Sequence, residues 1–285
     1  MSQSLTYISR RNCTPLTDAV LMKAAPSVFA HDKHESRSER YTYIPTIDVV
    51  NGLRAEGFMP VHVSQGRSRI PGKANFTKHL IRFRRQGQGP TYTHLGELFP
   101  ELILMNSHDG TSAYKIMAGM MRLRCFNGMI VLDKNLEEVR VPHKGNVTEK
   151  VIEGSYRVMD ASQEALRVAD HWSGVSLSRD EQMVLAEATH MLRFDEDNTT
   201  GQAIQPKQFL APWRKEDRGD DLWHVANRLQ ENTMKGGLHG FRWDEKARRH
   251  RRVTTREVKS VETDVKVNRA IWHLSQRMAE LKGAA

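Results

Sequence analysis

The chain reads as an α+β protein: an antiparallel β-sheet/hairpin core with packed helices, followed by a mainly helical C-terminal half. Three observations predict this. Segments alternating apolar and polar residues with a period of two crowd between Phe58 and Leu132. Gly-, Pro- and Asn-containing turn sequences separate them. After Pro142 the apolar spacing becomes helical and cap signals appear. On this pattern residues 1–40 form a partly disordered N-terminal arm, 41–142 a β-rich core, and 143–285 a helical region packing on that core.

In chain order, a short helix is expected over 14–25, after Pro15, and the wholly polar run His31–Arg40 reads as a solvated arm. Thr46 can cap a helix carrying Ile47, Val50 and Leu53 and stopped by Gly57. Phe58–Gln65 reads as a strand, with Pro60 pushing it toward a sheet edge. In Lys78–Arg85, Ile81 and Phe83 share one face, and Lys78, Leu80, Arg82 and Arg84 the other. Glu101–Asn106 is a further strand and His108-Asp-Gly110 a turn. Ser112–Cys125 satisfies both periods; its Ala and Met content allows a helix, while alternation favours a strand. Asn127-Gly128 is a hairpin signal, with Met129–Leu132 as the returning strand.

In the helical half, Gly145–Trp172 holds one long helix or two shorter ones. Ser178-Arg-Asp-Glu181 has capping-box spacing and opens a helix whose expected buried stripe is Met183, Val184, Ala188, Met191 and Leu192. Asp195–Pro212 is a loop, and Asp221–Lys235 a helix closed by Gly236-Gly237. A last helix carries Val258, Val261, Val265, Asn268, Ile271, Trp272, Met278 and Leu281.

The 285 residues suffice for one large domain or two small ones. Cys13 and Cys125 offer neither a disulfide framework nor metal-ligand spacing, which fits a reducing cytoplasm. No apolar run is long enough for a membrane span, and Met1–Tyr7 does not read as a secretory signal. A net charge of +9 and a pI near 9.6 favour polyanionic partners, nucleic acid foremost.

Two basic clusters carry that expectation. The first comprises Arg67, Arg69, Lys73, Lys78, Arg82, Arg84 and Arg85, with no acidic residue between Gly66 and Gln88. A strand alternating apolar residues with Arg and Lys places its charges on one sheet face, where they can follow phosphates; the competing reading is an edge strand protected by charge. The second runs from Phe241-Arg242-Trp243 through Lys246, Arg248, Arg249, Arg251, Arg252 and Arg256. There an indole beside positive charge suits an unpaired strand, and a flexible basic loop between helices is the alternative. His108-Asp109 could do acid/base work, but adjacent turn residues more readily bond to backbone. No catalytic residue, metal site or cofactor is expected, since zinc, phosphate-loop and nucleophile-elbow patterns are missing.

With Ser107-His-Asp-Gly-Thr111, Arg122, Arg124, Cys125, Asn127-Gly128, Asn227-Arg-Leu-Gln-Glu-Asn232, Gly236-Gly237 and Asn268-Arg-Ala-Ile-Trp272, the chain resembles a phage- and plasmid-associated bacterial family known only as a domain of unknown function (number 932). Tyr43-Ile44, the helix through Asn51 and the strand after Gly57-Phe58 are more distantly similar to the opening of single-strand annealing proteins of the RecT/Redβ/Rad type. That likeness implies a basic groove between a β-hairpin and helices, lined by Lys78, Arg82, Arg84, Lys115, Arg122 and Arg124, in a self-associating protein. The resulting expectation is a cytoplasmic protein encoded by a mobile element that binds single-stranded DNA and promotes annealing or protection, without catalysis. Two alternatives stay open: a metal-dependent DNA-processing enzyme using His108, Asp109 and Asp133, and a protein-binding host-defence antagonist.

Overall fold

The computed structural model describes residues 7–8, 14–30, 43–66, 68, 73–89, 91–93, 96–109, 111–122, 127–131, 138–195, 198 and 200–283. These fall into two compact units, one comprising 1–92, 96–166 and 259–261 and the other 93–95, 167–258 and 262–285. The run His31–Arg40, Arg67, Arg69, Arg124, Asp133 and both cysteines lie outside the described residues.

The first unit is built on an eight-stranded antiparallel sheet of β1 (Tyr7–Ile8), β2 (Phe58–Gln65), β3 (His79–Arg85), β4 (Thr91–Thr93), β5 (Gly96–Asn106), β6 (Tyr114–Arg122), β7 (Asn127–Ile130) and β8 (Val139–Val141). The order is β1-β2-β3-β5-β6-β7, with β4 paired to β5 and β8 paired to β6. Strand β6 settles residues 114–122 of the ambiguous segment as β, because it pairs with β5 from Leu98↔Arg122 to Met105↔Lys115 on one side and with β8 and β7 on the other.

Asn127-Gly128 is not a turn. Both residues are strand residues, paired as Arg122↔Asn127 and Met121↔Gly128. Gly128 serves a different purpose, since a Cβ there would lie 2.6 Å from the Arg82 guanidinium.

Helices α1 (Asp18–Ala24), α2 (Thr46–Ala55) and the first part of α3 (Val147–Trp172) complete this unit. The register places Ile81, Phe83, Leu102, Leu104, Ile116 and Ala118 on one sheet face, and all of them are buried. On that face α3 approaches closely enough for a Cβ at Gly154 to meet Val139 at 2.8 Å and Ile116 at 3.0 Å. Ser162 Oγ donates to the Glu101 carbonyl at 2.9 Å, fixing the helix to β5. Thr46 does not cap α2: Pro45 is the N-cap, and the buried Thr46 hydroxyl is committed elsewhere.

The second unit holds the rest of α3, α4 (Arg179–Arg193), α5 (Leu222–Lys235), α6 (Val261–Leu281) and a two-stranded antiparallel sheet, β9 (His239–Asp244) with β10 (Arg249–Thr254). Trp172 and Trp272 pack together in its core, with ring centroids 4.4 Å apart and planes tilted by 42°. The capping box of α4 is formed in both directions: Ser178 Oγ accepts from Glu181 N at 3.2 Å, and Glu181 accepts from Ser178 N at 2.7 Å.

The expected stripe of α4 is wrong. Gln182, Leu185, Ala186 and Thr189 face inward, while Val184 is 57% and Met191 75% exposed. Polar residues can take the inner face because their bonds are made there: Gln182 Nε2 donates to the Leu177 carbonyl and to Asp220, and Thr189 to the Leu185 carbonyl. Helix α5 works the same way. Arg228 donates to the carbonyls of Asp217 and Gly219 at 2.7 and 2.6 Å, and Gln230 donates to Asn268 at 2.9 Å.

Candidate nucleic-acid interface

The first basic cluster follows the predicted alternation, but its charges are not a solvated face. Arg82 and Arg84 keep 7% of their side-chain surface and Glu101 none. Glu101 Oε2 pairs with Arg82 Nη1 at 3.2 Å, and Oε1 with Arg84 Nη2 at 2.8 Å. Arg82 also donates to the Gly128 carbonyl at 2.9 Å, and the Arg84 guanidinium lies 4.3 Å from the Phe99 ring centroid.

The local window held no carboxylate because the sheet imports one from β5, and a guanidinium beside a carboxylate can be desolvated. Arg122 is likewise buried, and Lys115 pairs with Glu138 at 2.9 Å. Of the rest, Arg85 is exposed beside the Tyr156 ring at 5.8 Å, while Lys73 and Lys78 are half-buried. Arg82 and Arg84 are therefore corrected from groove lining to a buried ionic layer of the sheet, and Arg122, opposite Leu98 in the register, is buried on the other face.

The second cluster is not a loop but the hairpin β9–β10. Asp244 closes its turn by accepting from the backbone N–H of Lys246 at 3.1 Å and of Ala247 at 3.0 Å, and Arg248 takes the left-handed conformation with φ 45°. Those backbone bonds, with Arg251 and Arg242 nearby, hold the Asp244 carboxyl below the usual carboxylate range.

Register sorts the side chains by face. His239, Phe241 and Trp243 share one side with Thr254, Arg252 and His250. Phe241 is 64% and Trp243 49% exposed, and Trp243 meets the His250 ring edge-on at 5.3 Å. The other side carries Gly240, Arg242, Asp244, Arg249 and Arg251; Gly240 lies so close to the Ala203 carbonyl that no Cβ fits. Over 239–254 six Lys and Arg residues stand against two carboxylates. Arg251 approaches Asp244 at 3.7 Å, whereas Arg248, Arg249 and Arg252 are exposed and make no ion pair among the described residues. Exposed and half-exposed residues alternate strictly along His239–Asp244, as this register requires.

The His108-Asp109 turn divides its two side chains. Asp109 Oδ1 accepts from Thr111 N at 3.0 Å and Thr111 Oγ1 at 2.6 Å, whereas His108 is fully buried beneath it. There His108 Nε2 lies 2.9 Å from Thr46 Oγ1, which also meets His79 Nε2 at 3.0 Å and accepts from Asn106 Nδ2 at 3.1 Å. His79 Nδ1 reaches Ser27 Oγ at 2.8 Å, and His143 Nε2 reaches Asn106 Oδ1 at 3.0 Å.

The donors can be ordered. Ser27 Oγ donates to Gln65, so it accepts from His79 Nδ1; His79 Nε2 then accepts from Thr46, and Thr46 accepts from His108 Nε2. Burial holds all three imidazoles neutral, lowering His108 to about 3 and His79 and His143 to about 4. Sequence reasoning found only His108 of this network. Among the described residues no group of three or more His, Cys, Asp or Glu is arranged to hold a metal ion, and no helix is long and apolar enough to cross a membrane.

The sequence profile described as "Domain of unknown function (DUF932)" matches residues 33–272. Two relatives from Escherichia coli (strain K12) span nearly the whole chain. The UPF0380 protein YafZ is 44% identical over 268 residues, covering 94% of this chain and 93% of its own. The UPF0380 protein YfjQ is 43% identical over the same length with the same coverage. No solved structure matches the chain significantly.

Proposed function

Because the chain belongs to the DUF932 family, whose description states no activity, its role must be argued from its own surface, and we propose that it binds single-stranded nucleic acid, DNA foremost, through the β9–β10 hairpin. The observation that carries this reading is the hairpin's composite surface. Two exposed aromatic rings stand on one side, and three exposed arginines without a carboxylate partner among the described residues flank them.

Arginines attract the phosphates, and the rings offer flat apolar surfaces that only unpaired bases can reach. Phe241 and Trp243, two residues apart on one strand, stand about 6.8 Å apart, twice the ~3.4 Å rise per base of a stacked strand. Affinity of this kind leaves base edges free, which is what strand annealing or protection requires. Annealing or protection, with self-association along the strand, is the role proposed for that affinity.

The test is fluorescence anisotropy with a labelled oligonucleotide of roughly 40 nucleotides, longer than single-strand site sizes of ~4–16, in single-stranded and duplex form across a salt series. The expected result is salt-dependent preference for the single strand. Arg249→Glu with Arg252→Glu should weaken it at least about tenfold and flatten the salt slope. No binding at low salt would overturn the reading and turn attention to an acidic protein partner.

A further inference from the structure

Resting on that reading, we infer that Trp213 is a fixed stacking platform for an unpaired base, seated by Asn232 beside the base of the hairpin. Trp213 follows Pro212 after the three-ten turn Pro206–Leu210, which packs against α4 and α5. Its side chain is 55% exposed, an unusual state for the largest side chain. Yet it is tethered. Trp213 Nε1 donates to Asn232 Oδ1 at 2.6 Å.

Asn232 is itself 2% exposed, and its other end holds the same segment: Nδ2 donates to the Phe209 carbonyl at 2.8 Å and to the Ala211 carbonyl at 2.9 Å. One buried amide thus spends three hydrogen bonds on fixing residues 209–213 with the indole turned outward. A tryptophan serving only the core would be drawn in to bury its apolar surface; this one is held by its polar edge and leaves its rings available.

The indole lies at the foot of the hairpin. A Cβ on Gly237 would stand 3.6 Å from its ring, an ordinary contact distance, so the rim of the indole lies beside this residue, whose φ of 87° favours glycine. Two residues later β9 begins, and Gln208 Nε2 donates to the His239 carbonyl at 2.8 Å, joining the three-ten turn to that strand. Asn232 and Gly236-Gly237 are therefore read together, as the seat of a platform at the start of the strand that carries Phe241 and Trp243. The hairpin's excess of six cations over two carboxylates commits the occupant to a polyanion, and the rings commit it to one carrying bases. A ring already immobilised loses little side-chain entropy when a base stacks on it.

The experiment compares two labelled probes of equal length and charge, oligothymidylate and an abasic deoxyribose-phosphate chain. Trp213→Ala should weaken oligothymidylate binding about tenfold, leave the abasic chain within about twofold, and leave the salt slope unchanged. Trp213→Phe keeps a ring but loses the Asn232 bond, so it should recover only part of the loss, and full recovery would overturn the role given to the tether. Equal loss on both probes, or no loss on oligothymidylate, would overturn the platform while leaving the hairpin reading intact. Failure of the unaltered protein to bind either probe would overturn both. Because the side chain is mostly exposed, circular dichroism should confirm that Trp213→Ala folds.

Discussion

Replacing Glu101 by Gln removes one negative charge and keeps nearly the same shape. Glu101 is fully buried and serves two guanidinium groups that retain 7% of their surface. At an effective dielectric near 20, each close pair has a gross attraction of about 4 kcal/mol, set against the cost of desolvating all three charges. Removing the shared carboxylate leaves two cations facing each other in the sheet without a counter-charge. The expected loss is about 3–5 kcal/mol, a large part of a total stability of about 5–15 kcal/mol.

Urea denaturation of the unaltered and Glu101→Gln proteins would measure it, with the midpoint falling and the slope unchanged. Arg82→Glu with Arg84→Glu should not fold, because it gathers three carboxylates in the same layer. By contrast, Arg82→Met, Arg84→Met and Glu101→Leu together should be close to neutral, since a buried ion network can be exchanged for well-packed apolar groups. That triple variant should also keep its affinity for single strands. A Glu101→Gln loss below about 1 kcal/mol would refute the argument that these charges depend on one another.

Acid should unfold the first unit early. The imidazoles of His79, His108 and His143 titrate near 6.5 when unfolded and at about 4, 3 and 4 when folded, so below pH 6.5 the unfolded chain takes up protons the folded chain refuses. Stability is complete above that pH and falls toward pH 4, by up to ~1.4 kcal/mol per pH unit for each histidine; urea midpoints from pH 8 to 4 would show a flat profile if the network were solvated. Gly236→Ala should cost more than about 1 kcal/mol, because φ is 68° and the new Cβ would sit 2.6 Å from the Arg256 backbone. A melting temperature unchanged from the parent would contradict it.

The sequence displayed elements better than surroundings. Phe58–Gln65 was readable to the residue, and the Ser178–Glu181 box was legible, because both depend on neighbours in the chain. Arg82 and Arg84 were readable as a shared face but not as a buried one, since the deciding carboxylate sits on another strand. The same limit hid the inward turn of α4, where Gln182 is satisfied by Asp220, 38 positions away. The hairpin residues were legible as a basic, aromatic cluster; their strand pairing was obscured by arginines occupying both faces. Trp213 escaped notice because a lone tryptophan in a loop gives no local sign of what holds its edge.

Thr46 has one more consequence, for the order in which the fold can assemble. Its hydroxyl collects partners 33, 60 and 62 positions downstream, on β3, at the end of β5 and in the following turn. None of these exists near α2 until the central strands have aligned, so the helix gains its polar anchor only when the sheet does. Loop closure must come first and the reward arrives all at once, which makes α2, the sheet and the turn beneath Asp109 one cooperative folding unit. Amide protons of α2 should accordingly exchange with those of β3 and β5, at the rate of global opening rather than of local fraying.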